Sequence, residues 1–375
     1  MKLETLSVHV GRDVDPGTGA VAPPMHLSTT FERDPDGEFS RGFTYARPDN
    51  PTRRELEKCI AALEGGSDCT THASGSAASL AVFCLRRPGE HVRAPIEVFH
   101  GTAKQLRDIL GPMGVRHDFI DMTNLATVRE SLTDRTRLVW IETPSNPMLN
   151  LSDIDAIAQL AHARGAIVCA DNTFATPIWQ RPFEHGADIV MHSSTKYFGG
   201  HSDVMGGAVV TRERGEIAEK LRDYQATAGS VPSAFDCWLL RRSLTTLACR
   251  VRAQTDTTER LARFLEKHEH VERVLYPGLE ANPNHALARK QMNGFGAKLT
   301  FCDKDRRAEA FAVAARLKLF TRATSLGGVE SLIEHRASIE GPHSVTPENL
   351  LRISVGLEHA DDLIADLDQA LRQSS

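Results

Sequence analysis

One lysine stands where a strand is expected to open into a loop. Lys196 follows the apolar run 187–191 and lies among hydroxyl residues in the segment 193–197, SSTKY. Burial and nearby positive charge disfavour an ammonium, so a lysine in such surroundings can become a nucleophilic amine that forms a Schiff base with a carbonyl. Taken alone, a lysine is more often a solvated surface charge. The segment is therefore a candidate attachment site for an aldehyde cofactor only if other potential cofactor-binding residues occur elsewhere in the chain.

A turn of small residues elsewhere in the chain has the composition of a phosphate site. Residues 73–78, which include Gly75 and Ser76, read ASGSAA and lead into a helical pattern. Backbone N–H groups at a helix start bind phosphate well. Ser193 and Thr195, beside the lysine, could add hydroxyl donors to the same phosphate. The alternatives are a tight packing turn for the first segment and a hydrogen-bonded polar turn for the second.

Two further polar residues follow predicted strands. Asp171 comes directly after the apolar run 166–170, and Asn146 follows the run 138–141. The Asp171 carboxylate could pair with a protonated pyridine nitrogen, a charge-assisted bond of roughly 1.5–3 kcal/mol that makes the ring an electron sink. Asn146 could donate a hydrogen bond to a phenolate oxygen of the same ring. The alternatives are a cap or turn aspartate and a proline-bounded turn.

The elements that must position these residues can be predicted in outline. Between about residues 51 and 211, short apolar runs alternate with helical patterns, which indicates a mostly parallel sheet with crossover helices. Ligands gather at the carboxyl ends of such strands, where the candidate residues lie. The pair Ser152 and Asp155 predicts a helix start at Ser152. Long helical stretches follow residue 233, and a mixed region begins at residue 296, so we expect a smaller C-terminal α+β domain.

Composition and charge narrow the class of protein. The chain has 375 residues with 41% hydrophobic and 25% charged, a net charge of −5, and seven scattered cysteines without a CxxC pair. No basic tract points to nucleic acid, and no apolar stretch is long enough for a bilayer, so we predict neither a nucleic-acid nor a membrane partner. We also predict no metal site and a cytoplasmic location. No GxGxxG follows a strand, which disfavours a nicotinamide dehydrogenase; a cofactor-carrying regulator without turnover remains the other alternative.

Taken together, the motifs resemble one enzyme family over nearly the whole chain, from about residue 5 to residue 371. The matching segments are Tyr45-Ala46-Arg47, Asn50-Pro51-Thr52, Ser74-Gly75, Glu142-Thr143-Pro144, Asn146-Pro147, Asp171-Asn172-Thr173, Ser193 with Thr195-Lys196-Tyr197, Ser325-Leu326-Gly327-Gly328, and Arg352 before Ser354-Val355-Gly356. They resemble the Cys/Met metabolism (trans-sulfuration) family of pyridoxal-phosphate (PLP) enzymes.

The resemblance implies a fold and an organisation of the subunit. The fold would be α/β, PLP fold type I of the aspartate aminotransferase kind. Residues 1–45 are rich in Pro, Gly and Asp and are predicted to form an irregular arm, which by the resemblance would contact the neighbouring subunit. Residues 46–235 would form the large PLP-binding domain and residues 236–375 the C-terminal domain. The protein would be a homo-oligomer, a tetramer built from active dimers, and its partner a small-molecule amino acid.

The same resemblance implies roles for individual residues. PLP would be attached to Lys196 with Asp171 at its ring nitrogen. These two residues and Phe99, whose ring would stack on the cofactor, would be the catalytic residues. The remaining cofactor contacts would be Gly75, Ser76, Phe99, Asn146, Ser193 and Thr195, with Tyr45 and Arg47 reaching the phosphate of a neighbouring subunit. Arg352 would bind the substrate carboxylate through paired hydrogen bonds that a lysine cannot reproduce, with Ser325 and Asn146 beside it.

Departures from the family pattern bear on the reaction. Phe99 stands where many members carry a ring-stacking tyrosine, and the missing phenol favours an O-acyl-homoserine donor, whose carboxylate leaves without an acid. His100 could replace the phenol as acid. Gly101 stands where methionine γ-lyases have cysteine, and Thr324 replaces a glutamate of cystathionine-handling relatives.

We therefore predict a cystathionine γ-synthase-like γ-replacement or γ-elimination with cysteine or another thiol. The alternatives are an O-acetylhomoserine sulfhydrylase and a γ-lyase acting on cystathionine, methionine or a γ-oxy amino acid such as canavanine.

Overall fold

The computed structural model describes residues 1–304, 307–340 and 346–373. Within these ranges the larger sheet has seven strands: β1 (Asp68–His72), β2 (His91–Pro95), β3 (Arg116–Ile120), β4 (Thr136–Glu142), β5 (Ile167–Asp171), β6 (Ile189–His192) and β7 (Gly207–Thr211). Their spatial order is β1-β7-β6-β5-β4-β2-β3, and β7 runs antiparallel to both of its neighbours. The remaining pairs are parallel, as the alternation of strands and helices predicts.

Both faces of this sheet are covered, which explains why its central strands β4, β5, β6 and β7 are largely apolar. In β4, Leu138 and Trp140 pack into one core cluster, whereas Val139 and Ile141 pack into another on the opposite face. The described helices are α1 (Leu3–His9), α2 (Pro51–Glu64), α3 (Gly75–Phe83), α4 (His100–Lys104), α5 (Leu125–Ser131), α6 (Ile154–His162), α7 (Thr176–Trp179), α8 (Glu216–Ala228), α9 (Ala234–Leu244), α10 (Leu247–Glu266), α11 (His285–Gln291), α12 (Arg307–Arg316), α13 (Ala337–Glu340) and α14 (Ala360–Leu371). A π-helical turn spans Gln105–Leu110 and a 3₁₀ turn Pro182–His185. Over the ranges given above, no helix is both long and apolar enough to cross a membrane.

A second, mostly antiparallel sheet lies in the C-terminal part of the chain. Its strands are β8 (Val271–Leu275), β9 (Lys298–Asp303), β10 (Thr321–Arg322), β11 (Leu332–His335) and β12 (Leu350–Ser354), in the order β10-β11-β12-β9-β8. Apolar residues of β9, β11 and β12 form a core with residues of α10, α12 and α14. The long helices predicted after residue 233 are confirmed by α9 and α10, but the mixed region begins with β8 at Val271 and not at residue 296.

Two further local predictions are wrong. The N-terminal segment is not irregular throughout, because α1 forms and Arg241 on α9 donates hydrogen bonds to backbone carbonyls at Ser7 and Gly11, at 3.1 and 3.0 Å. The predicted helix start at Ser152 is displaced by one residue. The Asp153 carboxylate caps α6 by accepting from the Ala156 N–H at 3.0 Å, since a carboxylate is as good a cap as a hydroxyl.

Candidate active site

The predicted site residues converge on one cavity at the edge of the larger sheet. Strands β1, β2, β4, β5 and β6 run in the same direction, so their carboxyl ends meet there. The cavity has a volume of about 390 Å³. It is lined by all but two of the predicted residues: Gly75, Ser76, Phe99, Asn146, Asp171, Ser193, Thr195, Lys196, Ser325 and Arg352.

Tyr45 and Arg47 are the two predicted residues that do not line the cavity. Tyr45 is 47% exposed, and the Arg47 guanidinium lies 6.0 Å from the centre of the Tyr45 ring. Arg47 also donates to the backbone carbonyl of Ala226. Both residues therefore lie outside the cavity of their own chain, and their predicted contact with a neighbouring subunit stays a prediction.

Lys196 lies in the loop that follows β6. Its Nζ donates a hydrogen bond to the Ser325 Oγ at 2.9 Å. Burial, and after it the positive charge of Arg352, lowers the pKa of Lys196 to about 8. Gly327 packs directly behind this loop: it has a φ of +79°, and a Cβ there would lie 2.7 Å from the Tyr197 backbone nitrogen, so the close approach requires glycine. A lysine held in this way has a substantial fraction of neutral, nucleophilic amine near neutral pH.

Asp171 is the last residue of β5 and is hydrogen-bonded by the next loop. The Thr173 N–H and Oγ donate to its Oδ1 at 3.0 and 2.5 Å, and the Thr173 Oγ accepts from the Ser193 N–H at 2.9 Å. Burial raises the pKa of Asp171, and the Thr173 hydrogen bonds oppose that rise. Thr173 thereby ties the carboxylate to the loop that carries Lys196.

A helix start and two glycines form a cradle beside the lysine loop. Ser74 caps α3 by accepting from the Ala77 N–H at 3.1 Å. A Cβ on Gly75 would lie 2.8 Å from the Ser193 Cβ and Oγ, and a Cβ on Gly207 would lie 2.3 Å from the Ser74 carbonyl oxygen. The backbone of α3 and the hydroxyl loop therefore approach more closely than side chains would allow. An anion placed there would meet amides and hydroxyls together.

Arg352 on β12 lies at the other end of the cavity and is buried. Its Nη1 donates to the Asn146 Oδ1 at 3.2 Å, and its Nη2 donates to the Ser325 carbonyl oxygen at 2.9 Å. Strand β11 pairs with β12 so that Glu334 lies directly opposite Arg352, and the Nη2–Oε2 distance is 2.5 Å. A planar guanidinium fixed on several sides is preorganised for a carboxylate.

Sequence reasoning missed several buried charged residues around the site. The Glu142 Oε2 accepts from the Phe99 N–H at 2.8 Å and so fixes the backbone that carries the Phe99 ring. Burial, followed by the charge of Asp171, raises the pKa of Glu142 to about 8. On the substrate side, the Lys298 Nζ donates to the Asn146 Oδ1 at 2.7 Å. Burial lowers the pKa of Lys298 well below its ordinary value.

The sequence contains features that could have indicated two of these buried charged residues, Glu142 and Lys298. Glu142 ends an apolar strand, which is the usual place for a ligand-facing group. Lys298 is a single lysine in the apolar run of β9, and a buried lysine is uncommon enough to indicate a special environment. Glu334 and Arg336, which also lie at the substrate end, had no comparable signal.

The arrangement defines an enzyme site for a phosphorylated aldehyde cofactor and an amino acid. It combines a depressed-pKa lysine, a carboxylate at the end of the neighbouring strand, an amide and hydroxyl cradle, and a fixed arginine. Comparison with known proteins agrees with this class. The chain belongs to the Cys/Met metabolism PLP-dependent enzyme family, whose model matches residues 4–372.

Similar proteins from this family cover the whole chain. The cystathionine γ-synthase of Mycobacterium tuberculosis (strain ATCC 25618 / H37Rv) is 43% identical over 373 residues, 98% of this chain and 96% of that protein. The cystathionine γ-lyase of Dictyostelium discoideum is 41% identical over 99% of this chain and 97% of its own. The crystal structure of metB from Corynebacterium glutamicum has a TM-score of 0.98 and 39% identity, and covers 100% of this chain and 99% of that one.

These findings confirm the predictions of family, fold and cofactor. The chain is a PLP-dependent trans-sulfuration enzyme, a transferase or lyase of cysteine and methionine metabolism. Its fold is the mixed α/β fold of that family, with a large, mostly parallel sheet. Relatives with synthase and with lyase names are about equally similar to it, so the reaction itself has to be argued from the residues of the cavity.

Proposed function

We propose that the enzyme catalyses γ-replacement on an O-acyl-homoserine, with cysteine or another thiol as the incoming group. The observation that carries the proposal is Phe99, which lines the cavity, is 36% exposed and has its backbone N–H held by Glu142. No tyrosine is present among the described residues that line the cavity. A departing thiolate benefits from an acid, whereas an acyl carboxylate is a good leaving group without one. The cavity therefore suits a carboxylate leaving group.

The residues of the cavity fit PLP. Gly75, Ser76, Ser193 and Thr195 would hold the phosphate, because the cradle leaves room where a Cβ on Gly75 would clash. When bound, PLP supplies an electron sink for the bonds that break at the substrate's Cα and Cβ. Asp171 would hold a proton on the ring nitrogen, and Phe99 would stack on the ring.

The other residues act on the substrate. Arg352 would bind its carboxylate through paired hydrogen bonds, with Asn146 and Ser325 keeping that guanidinium in place. With the substrate bound, the Lys196 Nζ would be free to act as a base. It would remove the proton at Cα and later one at Cβ. The Cγ–O bond would break with loss of the acyl carboxylate, and the thiol sulfur would lose its proton and bond to Cγ. The Lys196 Nζ would then return protons to Cβ and Cα, which restores the amino acid.

The rate at which the apoenzyme takes up PLP is expected to rise with pH with a midpoint near 8. Lys196 is protonated below its pKa and nucleophilic above it, and burial together with Arg352 lowers that pKa to about 8. At pH 7 about one tenth of the lysine would then be neutral, far more than for an exposed lysine. Growth of the visible absorption band after mixing, followed from about pH 6.5 to about 10, measures this. A midpoint near the ordinary value of 10.5 would contradict it.

A product screen tests the reaction. The purified holoenzyme is incubated with O-acetyl- and O-succinylhomoserine, with and without cysteine or sulfide, and then with cystathionine, methionine and canavanine. We expect a thioether and the free acyl carboxylate from an O-acyl-homoserine and a thiol. Release of 2-oxo acid and ammonia from one of the last three compounds, without thioether from either ester, would reject γ-replacement. It would instead favour a γ-lyase, the second candidate, to which the name of the Dictyostelium relative points.

We further propose a cytoplasmic homotetramer built from active dimers. Support comes from Tyr45 and Arg47, which lie outside their own cavity and are available to a neighbouring one. Within each subunit we propose an arm over residues 1–45, a PLP-binding domain over 46–235 and a C-terminal domain over 236–375. The division is supported by the two separate sheets, which fall on either side of residue 236.

A further inference from the structure

A second arginine lies at the substrate end of the cavity. Arg336 follows β11, lines the cavity and is only 4% exposed. Its Nη1 donates to the Glu334 Oε2 at 3.1 Å, and the same oxygen lies 2.5 Å from the Arg352 Nη2. Two buried guanidinium groups thus meet on one carboxylate oxygen. Arg336 therefore brings a second guanidinium to the end of the cavity at which Arg352 would bind the substrate α-carboxylate.

The charges of the cavity wall are divided between its two ends. Among the described lining residues, the carboxylates are Glu142 and Asp171, and both belong to the cofactor end. The lining cations besides Lys196 are Arg336 and Arg352, and both of their charges contribute to the lowered pKa of Lys196. The two guanidinium groups share the single carboxylate of Glu334, so this group of three keeps a net positive charge, and an anionic ligand offsets the remaining cost of burying it.

Thr324, which also lines the cavity, adds no charge to this end. An ammonium at the far end of a γ substituent would therefore meet arginines and no lining carboxylate within the part of the cavity wall that is described. A carboxylate in the same position would meet a fixed donor fork of opposite charge. The wall thus discriminates between substituents by the sign of their distal charge.

We propose that Arg336 is a specificity-determining residue that binds a carboxylate at the far end of the γ substituent. The inference rests on the proposed function and deepens it: the preferred donors are hemiesters of a dicarboxylic acid, such as O-succinylhomoserine, over simple esters such as O-acetylhomoserine. The α-carboxylate goes to Arg352 and the distal carboxylate to Arg336. No bond forms or breaks at Arg336, which acts through binding alone.

Steady-state kinetics of Arg336→Gln with both esters test this assignment. For O-succinylhomoserine we expect KM to rise about tenfold or more, the size of one lost charge-assisted contact, with kcat little changed. For O-acetylhomoserine KM should change by less than about twofold, because that ester lacks the second carboxylate. Arg164→Gln, which removes an exposed guanidinium paired with Asp134, is the matched control and should change neither constant. An equal loss for both esters would indicate a merely structural role and overturn the proposal.

A binding titration separates this inference from the reaction. The visible band of the lysine-bound cofactor is titrated with L-2-aminoadipate and with L-norleucine, which has the same chain length without the distal carboxylate. The wild type should prefer aminoadipate, and Arg336→Gln should lose that preference by about tenfold. If the glutamine variant does not fold, Arg336→Lys is used instead. Its preference for aminoadipate over norleucine should be at least about threefold lower than that of the wild type, because an ammonium lacks the paired donors of a guanidinium. If the Arg336 variants keep the preference of the wild type, the proposal is overturned. If the wild type prefers aminoadipate but turns over neither ester, only the proposed function is rejected.

Discussion

Replacing Lys196 with alanine is expected to lower kcat/KM by at least about 10³-fold for every substrate that the enzyme accepts. The variant loses both the covalent attachment of the cofactor and the base that moves protons at Cα and Cβ, and a positioned base alone contributes about 10²–10⁴-fold. The measurement is steady-state turnover in the product screen. In parallel, borohydride-reduced and digested protein is analysed by mass spectrometry for a cofactor adduct on the peptide spanning residues 192–203.

The adduct distinguishes Lys196 from the second buried lysine nearby. Lys298 also has a lowered pKa, but its Nζ is occupied by Asn146 and lies 3.7 Å from the centre of the Phe174 ring. We expect the wild type to carry the adduct on Lys196 alone and the alanine variant to carry none. Lys290→Ala, which removes an exposed lysine paired with Asp153, should leave turnover unchanged. An adduct on Lys298, or full activity of the Lys196 variant, would contradict the assignment.

The part of the site built from strand ends could be predicted from the sequence. Apolar runs fix where strands stop, and parallel strands bring their carboxyl ends together without any further information. Asp171 and the lysine loop therefore had to lie at one edge once the sheet was predicted parallel, and they do. Gly75 follows the same rule, because β1 also ends at that edge.

The substrate end could not be predicted in the same way. Lys298 and Asn146 are 152 residues apart, and their contact depends on how the second sheet docks against the first. Glu334 meets Arg352 because of one register of β11 on β12, and a shift by a single residue would turn the glutamate to the other face. Short strands carry too little pattern to fix such a register. The family resemblance therefore located Arg352, Asn146 and Ser325, while Glu334 and Lys298 beside them were found only in the structure.

Replacing Arg352 with leucine is expected to lower kcat/KM by between about 30-fold and about 4000-fold. Truncating one partner of a buried, hydrogen-bonded charge pair costs about 2–5 kcal/mol, and every 1.4 kcal/mol is a factor of ten. The variant removes the group that would bind the substrate carboxylate and leaves Asn146 without that donor. Folding should be retained, because Glu334 keeps its hydrogen bond from Arg336 at 3.1 Å. Thermal unfolding and the visible cofactor band verify this before turnover is measured.

The loss should depend on the carboxylate of the ligand, and this separates a binding role from a general one. In the leucine variant, the affinity for L-norleucine, measured by titration of the cofactor band, should fall by the same factor as kcat/KM. Titration with n-pentylamine, which is norleucine without its carboxylate, should be nearly unchanged, since nothing that it contacts has been removed. The affinity for L-norleucine and the kcat/KM of Arg352→Lys should be much closer to those of the leucine variant than to those of the wild type, because a point charge cannot form the paired hydrogen bonds of a guanidinium. An equal loss for amine and amino acid would mean that Arg352 only holds Asn146 and Ser325 in place, and the carboxylate would then have to bind elsewhere in the cavity.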